Sequence, residues 1–392
     1  MRKYIFGIFA IVFLTLAIAT PTVTASPEAA MLNNNKEKQV EVMADDIQDK
    51  GKPPYLTYED AVELALKKSL ELQNARQNVI QAEEMRSHLA GMRNMGFTPV
   101  GPGYSYEDAL DRELLLNFVQ ADISWQMARK QVEIMEDALA FQVRNAYDEV
   151  LKKTGELKIA DLALELAAKK MQQAEIKVKC GMESPFNLQT VRDEYNEEQQ
   201  KRKALEKQLE KAYLDFNMLL GLGQDERAIL QGEFVPDWQG DIDLEHHITR
   251  LLNENPVLWL QEQKIKLAEY GLDLYTYNVG APPYKVREID VIKEKNDLAA
   301  LKENLETTIH SLYNQLQQLE NQYALLETNL VKAQNALNKV TVYYNLGMAL
   351  AIDRQQAGLA LAQLEFQQQN ILIAYEQLRL LFEKPWLKSA SL

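Results

Sequence analysis

The chain has 392 residues, 46% of them hydrophobic and 26% charged, enough for one to three domains with a large core. Gly (16) and Pro (12) are sparse, which disfavours a turn-rich β architecture. The net charge of −14 excludes nucleic acid as an expected partner, because phosphate binding takes clustered Lys and Arg; an acidic exported surface or a cation-selective lumen both fit.

Arg2 and Lys3 precede an uncharged apolar run over residues 4–19, and Val23-Thr24-Ala25 ends in small residues. Residues 1–25 therefore read as a cleaved signal peptide that exports the chain; the run is short for an uncleaved span of about 20 residues. No cysteine follows the expected cut, so none is there to carry a lipid. Cys180 is the only cysteine, which excludes an intrachain disulfide. Residues 26–54 are polar and unpatterned and read as a flexible leader.

Order is expected from residue 55. Thr57 with Asp60 three residues on forms a capping-box pattern. Val62, Leu66, Leu70 and the apolar residues from Leu72 to Val79 then predict one amphipathic helical run. After the break "GFTPVGPGYSY" (96–106), helical patterning resumes near Glu107 and continues to Lys179, a rod of roughly 100 Å at about 1.5 Å per residue. A second rod carries an apolar stripe from Leu298 through Leu305, Leu312, Leu319 and Leu326 to Tyr344. Its mean step near 3.5 keeps one seam facing a partner helix.

Each rod ends at a glycine. "KVKCGMESPFNLQ" holds Gly181-Met182, and 166 residues later "YYNLGMALAIDRQQ" holds Gly347-Met348. A glycine that accepts a left-handed conformation lets a helix stop and reverse, so each reads as the tip of a helical hairpin; a buried glycine at a helix crossing is the alternative. Returning arms are expected over about 186–220 and 352–382. The repetition extends outward: "AYLDFNMLLG" (212–221) matches "AYEQLRLLFE" at an offset of 162, and "LTYEDAVELALKKSLEL" matches "IDLEHHITRLLNENPVL" at 186. Two tandem repeats follow, 55–225 and 226–386, with a tail over 387–392.

These residues carry a resemblance. Leu56-Thr57, Glu59, Ala61 and Ala65-Leu66, the second-half Asn255-Pro256-Val257-Leu258, Ala146-Tyr147, the tip glycines and Leu219-Leu220-Gly221 resemble the TolC-like outer-membrane efflux proteins over almost the whole exported length. The resemblance implies an all-α protomer of long antiparallel hairpins in two repeats. It also implies homotrimers forming a hollow α-barrel, and docking onto a periplasmic adaptor or an inner-membrane efflux or secretion complex. Family members insert a β-hairpin at the far end of each half. The stretches in that place here, 96–106 and 274–286, are too short for two membrane strands of about 9 to 11 residues and a turn, so the β-barrel hairpins are expected to be missing or much reduced.

At the tips the family narrows its lumen with polar side chains. Asp353, six past Gly347, and Tyr344, three before it, match that pattern, whereas the first tip has Asn187 and the position two past Gly347 is Ala349 instead of an arginine. Asp353 also reads as a charge favouring a helix N-terminus. Gly181, Met182, Asn187, Tyr344, Gly347, Met348 and Asp353 are thus the candidate docking or aperture residues.

Catalysis is not expected. His88, His246, His247 and His310 show no metal-ligand spacing, with the adjacent pair His246 and His247 expected to be solvated, and there is no nucleophile elbow or phosphate loop. No cofactor is implied. Two readings stand: an oligomeric helical duct of an efflux or secretion system in the cell envelope, favoured by Gln/Asn-rich faces, or an extracytoplasmic structural or adaptor coiled coil without a pore.

Overall fold

The computed structural model describes residues 55–94, 106–230, 232, 238, 240, 242–275 and 282–390. The expected signal peptide and leader, the break at 96–105 and residues 276–281 lie outside these. The helices belong to one unit, Pro54–Leu392.

The first half runs β1 (Tyr55–Leu56), α1 (Tyr58–Lys68), α2 (Leu70–Asn94), α3 (Tyr106–Lys179) and α4 (Pro185–Leu220). After β2 (Ile229–Leu230) the second half repeats the order with α5 (Leu244–Glu254), α6 (Pro256–Asp273), α7 (Tyr284–Asn345) and α8 (Ala351–Glu383), and a short α9 (Leu387–Ala390) follows. β1 and β2 form a parallel pair, Tyr55 with Ile229 and Leu56 with Leu230. The expected tail thus begins as a helix whose first residue, Leu387, is buried.

Local chemistry explains the boundaries. Thr57 Oγ1 accepts the Asp60 amide at 3.2 Å while the Asp60 carboxylate faces the Thr57 amide at 3.4 Å, closing the capping box on α1. In the second half Asp243 takes that place, accepting from the His246 amide at 3.1 Å. The run expected to be continuous from Val62 to Val79 breaks at Ser69 (φ −61°, ψ 116°), whose hydroxyl accepts the Leu72 amide. The break swings Leu70 into solvent and hands the core to Ala61, Ala65 and Leu72. Asn255 (φ −65°, ψ 119°) makes the equivalent break before Pro256, accepting from the Val257 and Leu258 amides.

Each half has its own core. In the first, Tyr147 stands edge-on to both Tyr58 and Phe216 among Ala61, Val143, Val150 and Leu220. In the second, Leu305, Ile309, Leu312 and Leu316 of the expected stripe pack with Leu251, Tyr375 and Phe382. His247 belongs here, which corrects its expected solvation: its ring stacks on Phe382 at 4.1 Å and its Nε2 lies 3.1 Å from the Phe382 carbonyl oxygen. That oxygen only accepts, so Nε2 carries the hydrogen and Nδ1 accepts from Arg250 at 3.2 Å. Burial lowers the imidazole pKa despite the carbonyl partner, with the Arg250 charge adding to the effect.

The halves join through α3. It packs on α4 and α2 on one side and on α8 and α6 on the other, giving a layer ordered α4, α3, α8, α7. Asp137 on α3 accepts from Lys384 Nζ at 2.6 Å and from Trp386 Nε1 at 3.1 Å. Gly155 lies under Phe366 of α8, where a Cβ would come within 2.4 Å of the ring. Between them Asp148, fully buried, accepts from Gln377 of α8 at 2.9 Å and from Arg144 at 3.2 Å, both on Oδ2. Oδ1 is buried without a hydrogen-bond partner among the described residues, so a proton there leaves both bonds intact.

Burial pushes the Asp148 carboxyl above the ordinary carboxylate range, against the pull of Arg144 and Gln377. A pKa raised on folding adds stability at acidic pH that is lost as pH rises through the folded value. Asp148→Asn, a mimic of the protonated form, is therefore expected to gain thermal stability relative to the parent as pH climbs from acid to neutral, a trend that unfolding scans at several pH values would read. Gly155→Ala is expected to cost about 1–3 kcal/mol by overpacking, and Gly155→Ala with Phe366→Ala to cost less than the sum of the two single changes in urea unfolding.

Candidate functional site

The two hairpin tips share one backbone solution. Gly181 (φ 70°) and Gly347 (φ 75°) are left-handed. At the first, the Met182 amide donates to the Lys177 carbonyl at 2.8 Å and the Gly181 amide to Val178 at 3.0 Å; at the second, Met348 donates to Tyr343 at 2.8 Å and Gly347 to Tyr344 at 3.0 Å. This is the Schellman pattern, which satisfies the last carbonyls of a helix. A Cβ on either glycine would meet no atom within 4 Å, so backbone conformation alone selects glycine there. Both sit at helix ends in open space, which removes the helix-crossing alternative.

The next helix starts differently at each tip. Ser184 caps α4, its hydroxyl accepting the Asn187 amide at 3.2 Å, and the Asn187 side chain donates to Glu183. At α8 Leu350 has no side-chain acceptor, and Asp353 reaches back to take the Leu350 amide at 2.9 Å. Each tip uses one half of a capping box. The Asp353 carboxylate is thereby engaged in its own helix start, and its charge favours the positive end of α8.

Tyr344 has an arginine after all. Position 349 is alanine, but the Arg354 guanidinium of α8 lies 4.5 Å from the Tyr344 ring centre, a cation–π contact across the hairpin. The offset of 166 puts Val178 opposite Tyr344 and Leu188 opposite Arg354, so the first hairpin has no counterpart. Around these anchors the tips expose apolar side chains: Met182 is 79% and Phe186 82% exposed at one, Met348 73% and Leu346 67% at the other. Cys180 is exposed beside them. Among the described residues no group of three or more His, Cys, Asp or Glu could hold a metal ion, and no helix is long and apolar enough to cross a membrane.

Two substitutions separate these roles. Gly347→Ala is expected to destabilise the tip by about 1–2 kcal/mol and Gly347→Asn by less. Asp353→Ala is expected to lose about 0.5–2 kcal/mol of capping. Faster hydrogen exchange of the Met348 and Leu350 amides, respectively, would record each.

No family model and no curated protein matches the chain. Solved structures do. CusC, in structures of folding and transmembrane channel formation, matches with a TM-score of 0.61 at 12% identity, covering 88% of this chain and 95% of its own. The outer membrane protein VceC of Vibrio cholerae matches at 0.61 and 12%, covering 85% and 95%. The CmeC outer membrane channel of Campylobacter jejuni matches at 0.58 and 11%, covering 94% and 93%. Two tandem helical hairpins, left-handed glycine tips and this likeness together give the chain the TolC-like fold of outer-membrane efflux channels.

Proposed function

We propose that the chain is an exported, non-enzymatic TolC-like component of an efflux or secretion system, assembling as a trimer into an α-helical duct in the cell envelope. Its hairpin tips, from Gly181 to Asn187 and from Tyr344 to Asp353, dock onto a periplasmic adaptor or an inner-membrane complex. The observation that carries this reading is the pair of tips: equivalent turns, held by the same Schellman bonds, that present Met182, Phe186, Leu346 and Met348 to solvent at the ends of two long hairpins. Burying such side chains against a partner is favourable at about 25 cal/mol per Å² of apolar surface.

The chain length between the helices at the opposite end leaves little room for a membrane-spanning barrel. Helix α2 ends at Asn94 and α3 starts at Tyr106; α6 ends at Asp273 and α7 starts at Tyr284. The 11 and 10 residues between them are fewer than the roughly 20 that two membrane strands require. The duct accordingly ends short of a β-barrel of the family's kind and meets the envelope by association. The second reading, a structural or adaptor coiled coil without a pore, is favoured by that same shortness.

Light scattering and negative-stain imaging of the chain from Ser26 onward, without and with detergent, separate the two. A hollow trimeric cylinder without detergent is the expected result; a monomer or a solid rod would leave the adaptor reading in its place.

A further inference from the structure

The outer face of α7 changes character along its length. Toward the rest of the chain the helix buries Val291, Leu305, Ile309, Leu312 and Leu316. On the opposite side, at about 100° per residue, its first turns expose Val286, Ile289 and Ile292, and the same line then continues as Asn296, Glu303 and Asn314, also exposed. No large apolar side chain of α7 is exposed again until Leu325. The apolar segment therefore occupies only the first 12 Å or so of the rod, at about 1.5 Å per residue.

That end is the one opposite the hairpin tips, and the other helices that reach it do the same. Met85 and Met92 are exposed in the last turns of α2, and Tyr270 in the last turn of α6. Tyr284, exposed at the start of α7, stands edge-on to Tyr275 with ring centres 5.6 Å apart. Both halves thus expose apolar side chains within about 14 Å of these helix ends. The charge is local as well. The side of α7 that bears Ile289 and Ile292 also bears Lys285 and Lys293, while Glu288, Asp290 and Glu294 project from its other sides. Lys285 meets Glu288 at 2.6 Å, an exposed pair free to exchange partners. Residues 284–296 hold four Lys or Arg against three Asp or Glu, in a chain of net charge −14.

A protein partner can follow an apolar stripe to any length. A stripe on α7 that gives way to polar residues at one depth, with apolar ends on the neighbouring helices, is what a flat boundary between water and an apolar phase imposes. Tyrosine, with an apolar ring and a polar tip, and lysine, whose apolar stem carries its charge to the surface, are suited to that boundary. Anionic headgroups complement the two lysines.

We infer that the helix ends opposite the tips seat on the headgroup layer of a bilayer containing anionic lipid, with Ile289 and Ile292 entering the interface and Lys285 and Lys293 meeting lipid phosphates. The attachment is peripheral, since no helix among the described residues is long and apolar enough to cross a membrane. The inference rests on the proposed function, whose duct meets the envelope by association, and names the surface that it meets.

The test is flotation of the chain from Ser26 onward with vesicles of phosphatidylcholine alone or mixed with phosphatidylglycerol. The chain is expected to float with the mixed vesicles and several-fold less with the neutral ones. Ile289→Ser with Ile292→Ser is expected to lower partition onto the mixed vesicles about tenfold, and Lys285→Glu with Lys293→Glu to remove the preference for them. Leu325→Ser with Val331→Ser, an equal apolar loss farther down the same helix, is expected to change nothing; circular dichroism confirms that each variant is folded. No flotation with either vesicle, or flotation that survives the Ile289→Ser and Ile292→Ser pair, would overturn the inference. So would a change of oligomeric state from that pair in light scattering without lipid, which would assign the face to a second copy. The two failures are distinguishable: a hollow trimer that does not float overturns the lipid surface and leaves the duct, whereas a monomer that floats overturns the duct and leaves the lipid surface.

Discussion

An apolar stripe on a very long helix cannot be buried by the helix that carries it. Helix α3 has 74 residues and α7 has 62, against about 11 to 12 for an average globular helix. Their stripes repeat near 3.5 residues, so each needs a partner of comparable reach along one seam. A hairpin supplies that partner from the same chain at small loop-closure cost, provided the turn is tight. A left-handed glycine with a Schellman bond pair makes it so, because it ends one helix with its carbonyls satisfied and releases the chain within a few residues. The hairpins, the layer order and the exposed tips all descend from that requirement.

The two halves show which features the backbone demands and which residues merely satisfy it. Thr57 and Asp243 cap equivalent helices with a hydroxyl and a carboxylate. Ser69 and Asn255 break the chain at nearly the same dihedrals with different side chains. Ser184 and Asp353 begin the returning arms from opposite ends of the capping box. What recurs at each site is an unsatisfied amide at a helix start, and any acceptor of suitable reach answers it.

This explains what could be read from the sequence. The arms, the stripe from Leu298 to Tyr344 and the glycine tips were legible because period and backbone conformation are local properties. The break at Ser69 was not, because serine in a helical pattern is unremarked until its hydroxyl is seen to compete for an amide. His247 looked solvated beside His246, yet the offset of 186 sets it opposite Ala61, which is fully buried, and that alignment held the signal. The Tyr344–Arg354 contact lies at no fixed motif position, although the last turn of one arm and the first turn of the next face each other across any hairpin. Asp148 gave no warning at all: a carboxylate in a helix reads as exposed until the second helix that covers it is known.

Duplication followed by divergence also accounts for the different chemistry of equivalent stripes. The α3 stripe is covered by its own chain as folding completes, so Ile134, Phe141 and a glycine under a phenylalanine ring carry no risk there. The equivalent face of α7, apart from its buried Leu305–Leu316 stripe, is exposed. Repeating Ile and Phe along it would leave a long apolar band on every free copy, the kind of surface that associates without register. Ala300, Thr307, Asn314 and Asn321 keep that face polar.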